Sequence, residues 1–338
     1  FNHLVMWEIV RPLFSFGLTY SGVFLYNFLI TEKDKRFLKN TFSNYISPDL
    51  IDQMYEEKQE PKLGGDIGYH TAWFSDIQSF SAFSEKLTAN DLVELLNDYL
   101  TEMTDILLDN KGTLDKYIGD AIVAFYGAPA PVDDHEYWAC LTAVKMQDRL
   151  AELRGKWQGE GDRWPEIVHN MQNRIGINTG SLVTGNMGST MRMNYTMMGD
   201  TVNLAARLEA SAKQYGIYIQ VAEETYNACK DKFIWRDLDY VIVMGKTEPA
   251  QVFELISEDG NMPPGYDKLL PAYNEALKLY RNQDWVKAVD AFKESDKLED
   301  MFPGRKTNPS RIYIPRCEHY RDNPPGDDWD GSWALTKK

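Results

Sequence analysis

The chain has 338 residues, which is enough for one large domain or two smaller ones that each bury a core. Hydrophobic residues make up 43% and charged residues 26% of the chain, as in ordinary globular proteins. The net charge of −15 excludes a broad nucleic-acid-binding surface, because such a surface needs clustered Lys and Arg. The three cysteines lie far apart without metal-ligand spacing, so we expect reduced thiols.

The first apolar segment runs from Pro12 to Ile30 and contains no charged residue. As a helix it would be about 28 Å long, close to the roughly 30 Å hydrocarbon core of a bilayer. Lys33 and Arg36 follow at once, which predicts that the rest of the chain lies in the cytoplasm. We therefore expect a transmembrane helix in residues 1–30 and a protein of the cell membrane. The alternative is a long buried helix of a soluble protein.

Three further regions follow along the chain. Residues 31–65 form a juxtamembrane connector with apolar residues at helical spacing, and residues 66–256 form the main domain. Residues 257–338 form a Pro- and Gly-bearing linker and a tail. The tail pattern predicts a helix–turn–helix unit of tetratricopeptide type, from the apolar positions Tyr273, Ala276, Leu277, Tyr280, Trp285, Ala288, Val289 and Phe292.

Strands and helices alternate in the main domain. Their β-α-β-β-α-β order predicts an α+β fold, in which helices cover a sheet of ferredoxin-like plan with extensions. The predicted strands are Tyr69–Asp76, Thr113–Ile118, Ala121–Tyr126, Asn173–Thr179, Ile217–Val221, Tyr240–Met244 and Gln251–Ile256, and the predicted helices are Asn90–Leu108, 134–154 and Thr201–Gln214.

Two aspartates in this domain are candidate metal ligands. Asp76 ends a predicted strand, and Asp120 lies at the tip of the hairpin between two others. Charge among apolar residues is costly unless a cation compensates it, and Mg²⁺ takes one or two carboxylates. Each residue also has a structural alternative when taken alone: a strand-end cap for Asp76 and a common Gly-Asp turn for Asp120.

A second polar group lies near the start of the predicted helix Thr201–Gln214. Asn203 and Arg207 are four residues apart and therefore share one face of that helix. An Asn and an Arg at the positive end of a helix suit phosphate and ribose groups. Taken alone, such a pair is more often an exposed polar face than a binding site.

Three segments resemble the signature segments of class III adenylate and guanylate cyclases: Trp73–Phe80, Lys116–Asp120 and Tyr195–Arg207. They occur in the order and spacing of that family, and the resemblance extends over about residues 66–256. It implies a cyclase catalytic domain whose active site forms between two such domains.

The resemblance also implies roles for single residues. Asp76 and Asp120 match the two metal-binding aspartates, assisted by the Ile77 carbonyl, with two Mg²⁺ or Mn²⁺ ions in each active site. Asn203 matches the residue that orients the ribose. Arg207 matches the arginine that stabilises the transition state at the α-phosphate.

Four further positions bear on the substrate. Lys116 matches the base-selecting position, which is Lys in adenylate cyclases and Glu in guanylate cyclases. Thr196 stands where adenylate cyclases usually have Asp and guanylate cyclases Cys, and the Lys116/Thr196 pair resembles the Lys/Thr subgroup of adenylate cyclases. The Lys116 ammonium can donate to adenine N1, and the Thr196 hydroxyl can accept from the exocyclic amine. Lys246 resembles the basic residue that contacts the triphosphate, and Arg192 occupies a commonly basic position nearby.

The function implied is an adenylate cyclase that converts ATP to cyclic AMP and acts in signal transduction as a homodimer with shared active sites. One subunit would supply the two aspartates and the other the base, ribose and phosphate contacts. The N-terminal arrangement resembles bacterial membrane receptor cyclases with a CHASE2 sensor, which we would expect before Phe1. The alternatives are a non-catalytic nucleotide-binding receptor module, although no catalytic residue is missing, and a guanylate cyclase, against which Lys116 argues.

Overall fold

The computed structural model describes residues 12–28, 33, 62–242, 250–299, 305–326 and 328–334. It divides into two compact units, Phe1–Pro61 and Lys62–Lys338. Most of the predicted connector, residues 34–61, lies outside the described residues.

The predicted membrane anchor is wrong. Within the described part of the chain, no helix is both long enough and apolar enough to cross a bilayer. The membrane localisation that we derived from this helix is therefore contradicted as well.

The unit Lys62–Lys338 is built on a nine-stranded sheet with the strand order β2-β3-β1-β4-β6-β8-β7-β9, in which β5 pairs with β4. The strands are β1 (Gly64–Ile77), β2 (Thr113–Ile118), β3 (Ala121–Tyr126), β4 (Asn173–Ser189), β5 (Arg192–Met198), β6 (Ile219–Ala222), β7 (Phe233–Ile242), β8 (Ala250–Glu258) and β9 (Ser332–Ala334). The helices are α1 (Phe80–Lys86), α2 (Ala89–Asp109), α3 (His135–Gly159), α4 (Glu166–His169), α5 (Asp200–Tyr215), α6 (Glu223–Cys229), α7 (Tyr266–Arg281), α8 (Trp285–Asp296) and α9 (Pro309–Asp322).

The predicted mixed α+β class is confirmed. The succession β1-α2-β2-β3-α3-β4 is the order expected from the sequence, and β1 lies between β3 and β4, antiparallel to both. Strand β5, which forms a hairpin with an extension of β4, was not predicted from the sequence. Helix α6 was not predicted either. The strand predicted at Tyr240–Met244 is the end of the longer β7, and residues 243–249 lie outside the described residues.

Helix α2 shows why the main core forms where it does. Its buried residues recur every four positions, at Leu95, Tyr99, Met103 and Leu107, which gives one apolar face. The Thr88 hydroxyl accepts from the Asp91 N–H at 3.2 Å and caps the first turn. The apolar face packs into a cluster that also contains Trp73 of β1 and Trp157 of α3. This cluster fixes β1 and the β2–β3 hairpin, which carry the two aspartates.

A glycine allows α5 to lie close to the sheet. A Cβ atom at Gly176 of β4 would lie 2.2 Å from the Ala205 carbonyl oxygen and 2.3 Å from the Glu209 nitrogen. Any larger residue there would therefore push α5 away from β4. Because α5 buries Leu204 and Leu208 against the sheet, the neighbouring Asn203 and Arg207 remain exposed.

The tail belongs to the same compact unit as the sheet. Helices α7 and α8 form the predicted helix–turn–helix, while its tetratricopeptide type stays a prediction. Strand β9 pairs in parallel with β7, with Tyr240 opposite Ser332. The fully buried Arg236 of β7 bonds Glu254 of β8 and Glu299, which follows α8, each at 2.6 Å. Buried ion pairs thus connect the tail to the sheet.

Candidate active site

Asp76 and Asp120 lie side by side at one end of the sheet. Asp76 is near the end of β1, and Asp120 lies in the turn that joins β2 to β3, the strand paired with β1. Gly119 has φ +66°, so this two-residue turn uses the left-handed region that glycine favours. The Ile77 N–H donates to Asp120 Oδ2 at 3.0 Å, which ties the turn to the end of β1.

The environment of Asp120 raises the energy of its ionised form. Burial and, second, the neighbouring Asp76 carboxylate raise the pKa of Asp120 to about 6, although the Ile77 N–H bond opposes this rise. Asp120 is buried, whereas the Asp76 side chain is 36% exposed. A buried acid beside a second acid is a place where a cation would be stabilised.

The donor set suits a hard divalent cation. Among the residues that the structure describes, no group of three or more His, Cys, Asp and Glu could hold a metal ion. Mg²⁺, however, needs only one or two carboxylates and completes its octahedron with water and phosphate oxygens. Asp76 and Asp120, with the carbonyl of Ile77, therefore fit Mg²⁺ or Mn²⁺ bound together with a phosphate ligand.

Arg174 is a neighbour of this site that the sequence reading missed. It lies opposite Asp76 in the pairing of β1 with β4, with Arg174 Nη2 at 3.1 Å from Asp76 Oδ2. Its Nε lies 2.9 Å from Glu209 Oε1 of α5. Burial raises the pKa of Glu209 to about 7, while Arg174 opposes the rise. In the sequence, Arg174 could have been noticed only as a charged residue at the start of a predicted apolar strand.

A second group of polar residues, the Lys116 cluster, consists of Asp115, Lys116 and Thr196. Lys116 Nζ on β2 lies 3.1 Å from Thr196 Oγ1 on β5, so the structure brings the two predicted base contacts together. Thr196 is buried, and the Lys116 side chain is 44% exposed. Asp115, which the sequence reading did not select, accepts a hydrogen bond from the Thr196 hydroxyl at 2.6 Å.

Three of the remaining predicted residues have exposed side chains. Asn203 and Arg207 are exposed, one turn apart on α5, whose N-cap is Gly199. Arg192 is exposed at the start of β5. Lys246 lies outside the described residues.

Each predicted half of the site has its own internal contacts: Asp120 with Ile77, and Lys116 with Thr196. In the described segments, no hydrogen bond or ion pair links Asp76 or Asp120 to Lys116 or Thr196.

Comparison with known proteins decides the family, because residues 67–256 match the model of the adenylate and guanylate cyclase catalytic domain. The chain belongs to this family. The predicted class III cyclase domain is thereby confirmed.

Among curated relatives, the cyclase chain is 32% identical over 289 residues to the terminal-differentiation-specific adenylate cyclase of Dictyostelium discoideum, which covers 83% of this chain and 12% of the relative. It is 30% identical over 219 residues to adenylate cyclase 1 of Rhizobium meliloti, which covers 64% of this chain and 32% of the relative. The chain thus spans less than half the length of these two proteins.

Solved structures show the same fold. The crystal structure of the adenylyl cyclase CyaB from P. aeruginosa is 34% identical, with a TM-score of 0.53, and the match covers 60% of this chain and 100% of that one. The guanylyl cyclase Cya2 is 31% identical, with a TM-score of 0.53 and coverage of 59% and 97%. The chain is therefore similar to both adenylyl and guanylyl cyclases. Which purine base the chain binds must be argued from the site.

Proposed function

We propose that this chain is an adenylate cyclase of the Lys/Thr subgroup, which converts ATP to 3′,5′-cyclic AMP and pyrophosphate. The contact between Lys116 and Thr196 carries this proposal. It places an ammonium donor 3.1 Å from a buried hydroxyl, so the two groups can meet adenine N1 and the adjacent amine together. Guanine presents a protonated N1 and a carbonyl oxygen at those positions, which leaves the Lys116 donors without an acceptor on N1.

Asp76 and Asp120, with the Ile77 carbonyl, would hold two Mg²⁺ or Mn²⁺ ions. Bound there, the ions would lower the pKa of the ribose 3′-hydroxyl and neutralise the leaving pyrophosphate. Asn203 orients the ribose so that the hydroxyl lies in line with the α-phosphorus. Arg207 stabilises the charge that develops on the α-phosphate oxygens, and Lys246 and Arg192 contribute to binding of the triphosphate.

The active enzyme is a homodimer with two shared sites. Its support is the resemblance to the class III cyclases, whose active site forms between two such domains. The aspartates of one subunit then face Lys116 and Thr196 of the other. The catalytic domain covers residues 66–256, and the connector before it sets how the two copies meet.

A guanylate cyclase is the second candidate, favoured by the 31% identity to the guanylyl cyclase Cya2. A dimeric preparation given equal ATP and GTP with Mg²⁺ or Mn²⁺ separates the two functions when the products are identified by mass spectrometry. We expect cyclic AMP to dominate. Cyclic GMP as the main product would replace the proposal with the second candidate. No product from either nucleotide would favour the non-catalytic receptor module.

A further inference from the structure

Strand β2 is irregular at Asp115. Leu114 pairs with Ala124 and Lys116 pairs with Val123, so Asp115 is an extra residue between two consecutive positions of β3. Such a β-bulge changes the direction in which a side chain points. The Asp115 side chain is only 2% exposed, although the Lys116 side chain next to it is 44% exposed. The bulge therefore buries a carboxylate beside an exposed part of the strand.

Among the described residues, the polar contacts of Asp115 are with Lys116 and with β5. Its Oδ2 accepts from the Thr196 hydroxyl at 2.6 Å, and its Oδ1 lies 3.2 Å from Lys116 Nζ. The backbone N–H of Met197, the next residue of β5, also opposes the rise in the pKa of this carboxylate that burial causes. Asp115 is thus bound to both residues that we propose to read the base.

These contacts determine which way the Thr196 hydroxyl points. A hydroxyl has one proton and two lone pairs, whereas a carboxylate can only accept. An O–H···O⁻ bond of about 2.5–2.7 Å is among the stronger hydrogen bonds in proteins, so the proton of Thr196 is directed to Asp115. One lone pair of Thr196 accepts from Lys116 at 3.1 Å. Towards a ligand, Thr196 can therefore only accept.

We propose that Asp115 is a positioning residue that determines base specificity, because it holds Thr196 as a hydrogen-bond acceptor for the exocyclic amine of adenine. This inference rests on the proposed cyclase function. A hydroxyl that is free to rotate could donate its proton to the carbonyl oxygen of guanine. With its proton directed to Asp115, the Thr196 oxygen instead faces that carbonyl oxygen without a hydrogen between them.

The test is Asp115→Asn in the full chain, with kcat/KM measured separately for ATP and GTP. The new amide can donate to the Thr196 oxygen, which frees the hydroxyl proton to turn towards the base. A mispaired buried polar group costs on the order of 1–3 kcal/mol, so we expect the ATP/GTP ratio of kcat/KM to fall at least about fivefold. General damage to the fold would lower both activities together and leave this ratio unchanged.

Two variants make the result specific. Asp98→Asn is the matched control, since Asp98 also accepts from a lysine, Lys156, and from a neutral donor, Trp157, but it lies on α2 outside the cluster. It should keep the wild-type ratio. The double variant Asp115→Asn/Thr196→Asp should recover ATP preference, because a carboxylate at position 196 is an acceptor without help from Asp115.

The outcomes separate this inference from the proposed function. If the wild type forms no cyclic AMP, the proposed function fails. If the wild type prefers ATP and Asp115→Asn keeps the same ratio, the role of Asp115 is refuted. If Asp115→Asn does not fold, Thr196→Asn tests the inference instead. Asp115 would accept from the amide nitrogen of the new side chain, which leaves the amide oxygen of that side chain to accept from adenine. Retained ATP preference is then expected, and equal use of GTP would overturn the inference.

Discussion

The aspartate pair and the Arg236 cluster are two groups of charged residues with opposite arrangements. In the first, Asp76 lies beside the buried Asp120 and helps to raise its pKa to about 6. In the second, the fully buried Arg236 bonds Glu254 and Glu299, each at 2.6 Å, and Arg305 lies 3.4 Å from Glu299. Like charges are held together at the end of β1, where Arg174 bonds Asp76, while two cations and two carboxylates neutralise one another between the sheet and the tail.

This contrast separates charges that serve the fold from charges that serve a ligand. In some buried ion pairs, the chain itself supplies every partner. The fold is then strongly destabilised only when one of those partners is removed. A buried acid held against another acid reduces the stability of the unliganded fold, and such an arrangement is typical of functional sites. The two regions should therefore respond in opposite ways to substitution.

The largest effect is expected from Asp120→Asn. Cyclic AMP formation should fall about 10³-fold, about 4 kcal/mol of transition-state stabilisation, because a proposed metal ligand is lost. The melting temperature without metal should stay the same or rise, since the repulsion with Asp76 is removed. Activity assays and thermal melts of the same preparations measure both. An active variant, or one that melts well below the wild type, would contradict the contrast.

The reverse pattern is expected for Arg236→Met. Removing one partner of a buried ion pair costs about 3 kcal/mol or more, because Glu254 and Glu299 are left buried without their cation. Urea unfolding measures this loss. Lys297→Ala is the control, since Lys297 and its partner Glu294 are 67% and 70% exposed, and its effect should stay within about 0.5 kcal/mol. Equal losses in the two variants would show that burial does not set the cost.

Local patterns predicted the parts of the fold that depend on neighbours in sequence. The apolar spacing in Asn90–Leu108 predicted α2 to within one residue at each end, and Gly119 marked the β2–β3 turn. A purely local count also misled, since the uncharged segment Pro12–Ile30 indicated a membrane span and the structure contradicts it. The number of charged and apolar residues in a segment is thus weaker evidence for its structure than the spacing of its apolar residues.

Roles for single residues could be predicted only where a family motif names them. Asp76 and Asp120 were candidates from their positions alone, and their roles and those of Lys116 and Thr196 came from the family resemblance, whereas Asp115 and Arg174 went unnoticed. Asp115 meets Thr196 across 81 positions through a bulge that no local pattern marks. Arg174 meets Asp76 only because β1 and β4 pair in one register. Contacts of this kind are fixed by tertiary pairing.

The pH dependence of stability gives the third test of the contrast. The pKa of Asp120 is about 6 in the folded chain against an ordinary value of 3.8, so the folded state holds more protons between these values. The stabilising contribution of this group is therefore complete below about pH 4 and is lost as the pH rises through about 6. With a chelator present, the wild type should lose about 2 kcal/mol relative to Asp120→Asn between pH 4 and pH 7. Urea unfolding at several pH values measures the difference, and a constant difference would refute the raised pKa that burial and Asp76 give Asp120.

The smallest effect concerns an ion pair of intermediate burial between the tail and the sheet. Arg281 of α7 bonds both oxygens of Asp237 on β7, at 2.6 and 2.8 Å, with side-chain exposures of 29% and 24%. Arg281→Gln should cost about 1 kcal/mol of unfolding free energy, between the values for exposed and fully buried pairs. Because solvent reaches this pair, 1 M salt should reduce the cost by screening, whereas the cost of Arg236→Met should hardly change. If salt changes both costs equally, the Arg236 cluster is no more shielded from solvent than the Arg281 pair. The neutralised charges of the Arg236 cluster would then not explain how that cluster differs from the aspartate pair.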